Sequence, residues 1–233
     1  MTEARHLFTE HLQELEDQAL GGLDLVLSSL DRTLEALDQH DTELASIVVT
    51  DDDRIDGRYL EVHQGILTLL ALQSPVATDL RLVAALLHLI KHIERMGDQC
   101  VNIAKLIPLS GHEPSEDEEL HGMIDRMGTI ARSMVAQSKR AFELRDPELS
   151  HDLVRQDDEL DRLNRQIFNR ALDIGDEVDV REWAMFMILT ARCLERIGDN
   201  AVDVGEQATF VATGLFREFD GTSDTDLPPQ PER

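Results

Sequence analysis

Leu12, Leu15, Ala19, Leu23, Val26, Leu30, Leu34 and Leu37 follow one another at steps of three and four, with polar residues between them. Such spacing lays the apolar side chains along one stripe of a 3.6-residue helix and predicts a long amphipathic helix over 2–39. Gly21-Gly22 falls inside it. Each glycine costs roughly 1 kcal/mol relative to alanine in mid-helix, so the pair predicts a bend or a close contact with another helix.

The same rhythm predicts a second helix over 41–73. A third carries VATDLRLVAALLHLIKHIERMGDQCVNIAKLI up to Pro108, with Ser74 as its cap and Pro75 in its first turn. The prolines stand at 75, 108, 114, 147, 228, 229 and 231, outside every segment that needs unbroken backbone hydrogen bonding. PLSGHEPSEDEE combines Gly, Pro, Ser and an acidic run and reads as a connection into a new helix N-terminus. The pattern then restarts, with helices over 115–144, from about 146 onward, and over 178–216. The expected fold is all-α: two tandem three-helix bundles at 1–108 and 116–219, a linker at 109–115, and a polar, proline-rich, disordered tail at 220–233.

The two halves share a motif as well as a helix count. ERMGDQCVN at 94–102 returns as ERIGDNAVD at 195–203, and Asp52 and Asp56 of DDDRID have counterparts in Asp157 and Asp161 of DDELD. The acids recur 105 positions on and the ERxGD motif 101 positions on, so a single four-residue length difference relates the halves. This is the mark of an internal duplication.

With Glu94 at zero on a helical wheel, Asp98 falls near about 40° and Asn102 near about 80°, a slanted ladder just outside the apolar arc. Glu195, Asp199 and Asp203 form the matching ladder, joined by Glu206, where the first half has Lys105. Gly97 lies within the apolar arc, and a glycine there signals close approach of another backbone. That approach would bring Asp52 and Asp56 beside Glu94 and Asp98, and Asp157 and Asp161 beside Glu195 and Asp199. Clustered carboxylates need protons, Arg or Lys, or bound cations to neutralise them. An all-oxygen cluster suits Mg²⁺, Ca²⁺, Mn²⁺ or iron, and the richer second ladder is expected to bind more tightly. The competing reading is an ordinary intrahelical ion-pair ladder, with Arg95 to Asp98, Arg192 to Glu195 and Arg196 to Asp199.

Other features narrow the function. His88 and His92 sit on the wheel away from Glu94 and read as boundary residues; Cys100 and Cys193 match no metal or redox spacing and read as structural thiols. No nucleophile with an adjacent base and no phosphate-binding glycine loop is present, so no enzyme activity is expected. With 22 basic against 47 acidic residues the formal net charge is −25, which argues against nucleic acid as a partner. The apolar runs are too short to span a bilayer and the N-terminus lacks the features of a signal peptide, so a cytoplasmic protein is expected.

Taken together, QSPVATDLR leading into HIERMGDQCVNIA, and LERIGDNAVDVGE in the second half, closely resemble the PhoU family of phosphate-specific transport accessory proteins, over residues 8–216. DVDVREWAM lacks the PVATDLR element of the first half, so the repeats diverge there. The resemblance implies a bacterial negative regulator of the phosphate-starvation response that links a phosphate ABC transporter, through its ATPase subunit, to a sensor histidine kinase. Such a protein reaches the membrane only through these partners, and the resemblance implies a homodimer. It also implies metal clusters, of iron or zinc in the family, on the carboxylate faces, with Fe, Zn, Mg and Mn all chemically admissible. Carried onto this chain, the ligands are Glu94, Asp98 and Asn102 with Asp52 and Asp56, and Glu195, Asp199 and Asp203 with Asp157 and Asp161. The alternatives are a metal-dependent helical enzyme or metal store, and a metal-free helical adaptor.

Overall fold

The computed structural model describes residues 3–72, 75–110, 117–174, 177–216 and 218–219, with residues 3 and 4 described by their backbone alone. Among these residues there is no strand. The helices are α1 (Glu3–Asp38), α2 (Thr42–Asp51), α3 (Asp53–Leu72), α4 (Ala77–Leu106), α5 (Glu118–Leu144), α6 (Pro147–Leu172) and α7 (Val178–Thr213), with a single 3-10 turn at Ile107–Leu109.

Helix ends follow local chemistry. Asp41 accepts the Glu43 and Leu44 N–H groups, each at 2.9 Å, and starts α2. Asp146 does the same for Glu148 and Leu149, with Pro147 in the first position of α6. Asp117 accepts the Leu120 N–H at 2.9 Å, which sets the start of α5 at 118 instead of 115. These side chains satisfy donors that have no partner within the helix. α7 stops at Thr213, short of 216, because Gly214 turns left-handed (φ 76°) and donates its N–H to the Phe210 carbonyl at 2.8 Å. α4 begins at Ala77 with Val76 as an uncapped boundary, so Pro75 precedes the helix instead of lying in its first turn. Ser74, most of the linker at 109–115 and the tail at 220–233 lie outside the described residues.

The second rod is not one helix. It is interrupted at Asp52, whose carbonyl accepts from both the Ile55 N–H (2.8 Å) and the Asp56 N–H (3.1 Å), a tightened turn that separates α2 from α3. The interruption falls on one of the expected ligands.

α1 packs with α2, α3 and α4, and α5 packs with α6 and α7, giving the two three-helix bundles. The bundles share one continuous hydrophobic core. α4 lies along α7 and α1 along α5, so the repeats meet over two seams. α7 accordingly buries much of its second half, with Leu194, Glu195, Ile197, Gly198, Asn200, Ala201, Val204, Gly205, Glu206, Gln207 and Ala208 all covered. α1 runs through Gly21-Gly22 without a break. A Cβ at Gly22 would stand 3.2 Å from the Ile93 side chain, so close contact with α4 explains this glycine.

Candidate metal centres

In the first repeat α3 crosses α4 at Gly97. A Cβ at that position would stand 3.0 Å from Ile55 Cδ1 and 3.1 Å from Asp52 Oδ1, so the absent side chain is what lets Asp52 lie against the α4 backbone. Burial raises the Asp52 carboxyl to about 6, helped by the negative charges of Asp56 and Asp98. Burial likewise raises Asp98, followed by repulsion from Glu94 and Asp56. Asp52, Asp56, Glu94 and Asp98 therefore feel one another's charge across the crossing. Lys91 Nζ lies 2.6 Å from Glu94 Oε2, and Lys105 attracts both Asp52 and Asp98. Asn102 sits on the exposed face of α4 beyond them.

The second repeat reproduces the crossing more tightly. A Cβ at Gly198 would stand 2.5 Å from Leu160 Cδ1, 3.2 Å from Asp157 Oδ1 and 3.4 Å from Met134 Cε. Burial raises Asp157 to about 7, with Asp199, Asp161, Asp158 and Glu195 adding to the rise. Its Oδ1 is buried without a hydrogen-bond partner. Glu195 is itself buried and its carboxyl is raised, first by burial and against the pull of Arg192. Asp199 is raised by burial, then by Asp161 and Asp203, in spite of Arg192 and Arg196. Arg192 forms an ion pair with Glu195 and also lines a groove of about 460 Å³ between α6 and α7.

Asp203 faces a different neighbour. Its Oδ2 lies 3.2 Å from Nδ1 of His92 on α4, and the same nitrogen lies 2.9 Å from Asn200 Oδ1. Glu206, the expected fourth member of the ladder, accepts the Phe219 N–H at 2.6 Å and belongs to the chain end beyond α7. Of the expected ion-pair ladder, only Arg192 to Glu195 forms among the described residues; Lys91 takes that part for Glu94, and neither Arg95 with Asp98 nor Arg196 with Asp199 makes an ion pair.

The donor set at the two crossings bears on the metal that the resemblance implies. The groups are almost all carboxylate oxygens, two of the acids have strongly raised proton affinity, and one buried oxygen is unpartnered. Those properties fit a hard cation. Among the described residues, no three of the acids at either crossing have ligand atoms all within 4.8 Å of one another. Among the described residues, the set of three His, Cys, Asp or Glu groups with ligand atoms all within 4.8 Å of one another is Asp38, His121 and Asp125, elsewhere in the fold.

Lys91, Arg192 and His92 were not marked as functional by the sequence. Lys91 and Arg192 occupy equivalent positions three residues before the motif glutamates, a signal that aligning the halves contains. His92 reads as a boundary residue because it lies away from Glu94 on the wheel; in the structure it is buried against the other repeat, while His88 is exposed. Cys100 is fully buried with its thiol pushed up to about 12 by that burial, consistent with a structural role.

The profile of the PhoU domain matches residues 23–107 and again 124–208, one match per repeat. The chain is 32% identical over 222 residues to the phosphate-specific transport system accessory protein PhoU homolog 1 of Mycobacterium leprae, covering 93% of this chain and 97% of that protein. It is 31% identical to the PhoU homolog of Clostridium acetobutylicum over 213 residues, 90% of this chain and 96% of that one. The crystal structure of the phosphate transport system regulatory protein PhoU from Streptococcus pneumoniae superimposes with a TM-score of 0.82 at 27% identity, over 90% of this chain and 99% of that one. Repeat architecture, the paired glycine crossings and these likenesses agree: the chain belongs to the PhoU family.

Proposed function

We propose that the protein is a non-enzymatic accessory regulator of a phosphate ABC transporter, acting in the cytoplasm as a homodimer. In this reading it docks on the transporter's ATPase subunit and on a sensor histidine kinase and lowers the phosphate-starvation response. Its relatives are named as phosphate-specific transport accessory proteins. None of the described helices is long and apolar enough to cross a membrane, so contact with a membrane complex would run through protein partners.

The observation that carries the metal reading is the duplicated pinch. In both repeats a motif glycine admits an aspartate oxygen from the preceding helix, Asp52 at Gly97 and Asp157 at Gly198. Asp52, Asp56, Glu94 and Asp98, with Asn102 beyond, would hold cations at one centre; Asp157, Asp161, Glu195 and Asp199, with Asp203, would hold them at the other. Bound cations would neutralise the clustered carboxylates and present positive charge on an acidic surface. The residues themselves keep two helices of each bundle at fixed separation. Their mutual repulsion and burial raise the proton affinity of Asp52 and Asp157, so that protons compete with a cation there as pH falls. The second centre is the tighter of the two in this scheme, since Asp157 carries the unpartnered oxygen and the larger rise in proton affinity. A regulator shifts a response only by binding one state of its partners better than another, so metal occupancy has to alter the docking surface.

The test is co-purification of both partners with wild-type protein and with Asp98→Ala plus Asp199→Ala, beside elemental analysis of gently purified protein. Bound metal and loss of both partners in the variant are expected; retention of both partners overturns the metal-dependent docking. The ion pairs at Glu94 and Glu195 favour a second reading, a metal-free adaptor, for which elemental analysis would find no metal. A metal-dependent enzyme would instead turn over substrate in phosphatase or oxidase assays of metal-loaded protein.

A further inference from the structure

The groove between α6 and α7 encloses about 460 Å³, lined by Phe168, Ile188 and Leu189 with Arg165, Arg192 and Asn164 beside them. Phe168 and Leu189 are about half exposed, at 49% and 48%. The chain carries a formal net charge of −25, yet here it leaves apolar side chains open between two arginines. Such a surface suits an acidic segment with an apolar anchor.

The end of α7 leads the chain onto the same seam. Gly214 turns it left-handed at φ 76°, and Phe216 packs edge-on against Phe210. The Phe219 ring then lies 5.2 Å from that of His151 on α6, and its N–H donates to Glu206 on α7. From His151 to Arg165 the axial distance is roughly 21 Å, at about 1.5 Å per residue of helix. Along that path Arg155, Arg162 and Arg165 fall within about 80° of one another on the α6 wheel, in the same stripe as His151. Each arginine pairs with an acid of its own helix yet stays more than half exposed. Asp158 interrupts the row, so the groove is the stronger anchor.

Residues 220–233 carry the matching chemistry. Asp220, Asp224 and Asp226 precede Leu227, Pro228, Pro229, Gln230 and Pro231. Pro-x-x-Pro spacing favours a polyproline II helix, which is preformed, loses little entropy on docking and is recognised by aromatic-lined grooves. Its carbonyls have no partner within the helix, and the Asn164 amide offers a donor. At about 3.1 Å per residue, the stretch from Phe219 to Leu227 reaches roughly 25 Å, enough to bring Leu227 to the groove while the aspartates pass the arginines.

We propose that residues 220–233 bind in the α6–α7 groove of their own chain, with Leu227 and the following prolines against Phe168, Ile188 and Leu189. The aspartates lie along the arginines of α6. Tethering supplies what exposed ion pairs lack, since a short linker holds the segment at high effective concentration. The docked segment shields the apolar side chains of the groove, so a partner that uses this face must displace it. Nothing in this arrangement depends on metal at the glycine crossings.

The test places a photoreactive benzophenone amino acid at Leu227 of the full chain and irradiates an equal mixture of isotopically light and heavy protein. Mass spectrometry then reads where the label attaches. Cross-links to the segments around Phe168 and Leu189 within one isotopic chain are expected. Arg162→Glu plus Arg165→Glu, both at exposed positions, should fold as wild type by circular dichroism and lower that cross-link about fivefold, as the loss of two exposed ion pairs implies. An undiminished yield in this variant overturns the proposal. So do cross-links elsewhere, none at all, or cross-links only between light and heavy chains, the last by assigning the groove to a second copy.

Discussion

Replacing Asp157 by asparagine is expected to stabilise the metal-free protein at alkaline pH, by less at pH 5, and hardly at all below about pH 4. The side chain keeps its size at the Gly198 crossing but loses the charge. Burial and the surrounding acids raise the folded-state Asp157 carboxyl from the ordinary 3.8 to about 7. Between about pH 4 and 7 the native state thus holds a proton that the unfolded chain releases. Stability from this group is full below the unfolded value and falls as pH rises through the folded one. A rise of that size, at about 1.4 kcal/mol per unit, would be worth roughly 4 kcal/mol for a fully enclosed group. Partial solvent access screens it to about 1–2 kcal/mol. For a chain of this length that corresponds to about 2–8 °C in melting temperature. Circular-dichroism melts in EDTA at pH 5 and pH 8 read the effect: the variant should exceed wild type at both, by roughly a third of the full margin at pH 5 and by all of it at pH 8. Saturating divalent cation should then reverse the order, stabilising wild type more than the variant. A variant that melts at or below wild type at pH 8 in EDTA, or a difference independent of pH, would refute the picture of an unneutralised buried carboxylate.

Gly198→Ala should be less stable than Gly97→Ala, by about 1–2 kcal/mol in urea unfolding, because its Cβ would meet Leu160 at 2.5 Å where the other meets Ile55 at 3.0 Å. Gly122→Ala on α5 meets nothing within 4 Å and should instead stabilise by about 0.5–1 kcal/mol, which calibrates the pair. His92→Ala should cost about 1–3 kcal/mol in the same experiment, since it strips Asn200 of a buried hydrogen-bond partner at the α4–α7 seam; an unchanged midpoint would remove His92 from that role. Chelation of protein purified with its metal should lower the melting temperature more at pH 8 than at pH 5, where protons substitute for the cation at Asp52 and Asp157.

Helical class, the duplication and the identity of the paired acids were legible along the chain because each is a local or periodic property. A three-four apolar rhythm dictates which face of a helix is buried, and a glycine inside that face can be justified only by a close neighbour. Asp52 beside Gly97 and Asp157 beside Gly198 follow from that logic applied twice. The break at Asp52 was not legible, since its backbone angles remain helical and nothing in DDDRID marks a stop. Nor was the partnership of Asp203 and Asn200 with His92, because it crosses from one repeat to the other and depends on how α4 lies along α7. The meeting of Asp38 with Asp125 is likewise set by the register of α1 against α5. Periodicity orients each helix about its own axis; the sliding and pairing of helices that belong to different repeats are settled only when the shared core closes.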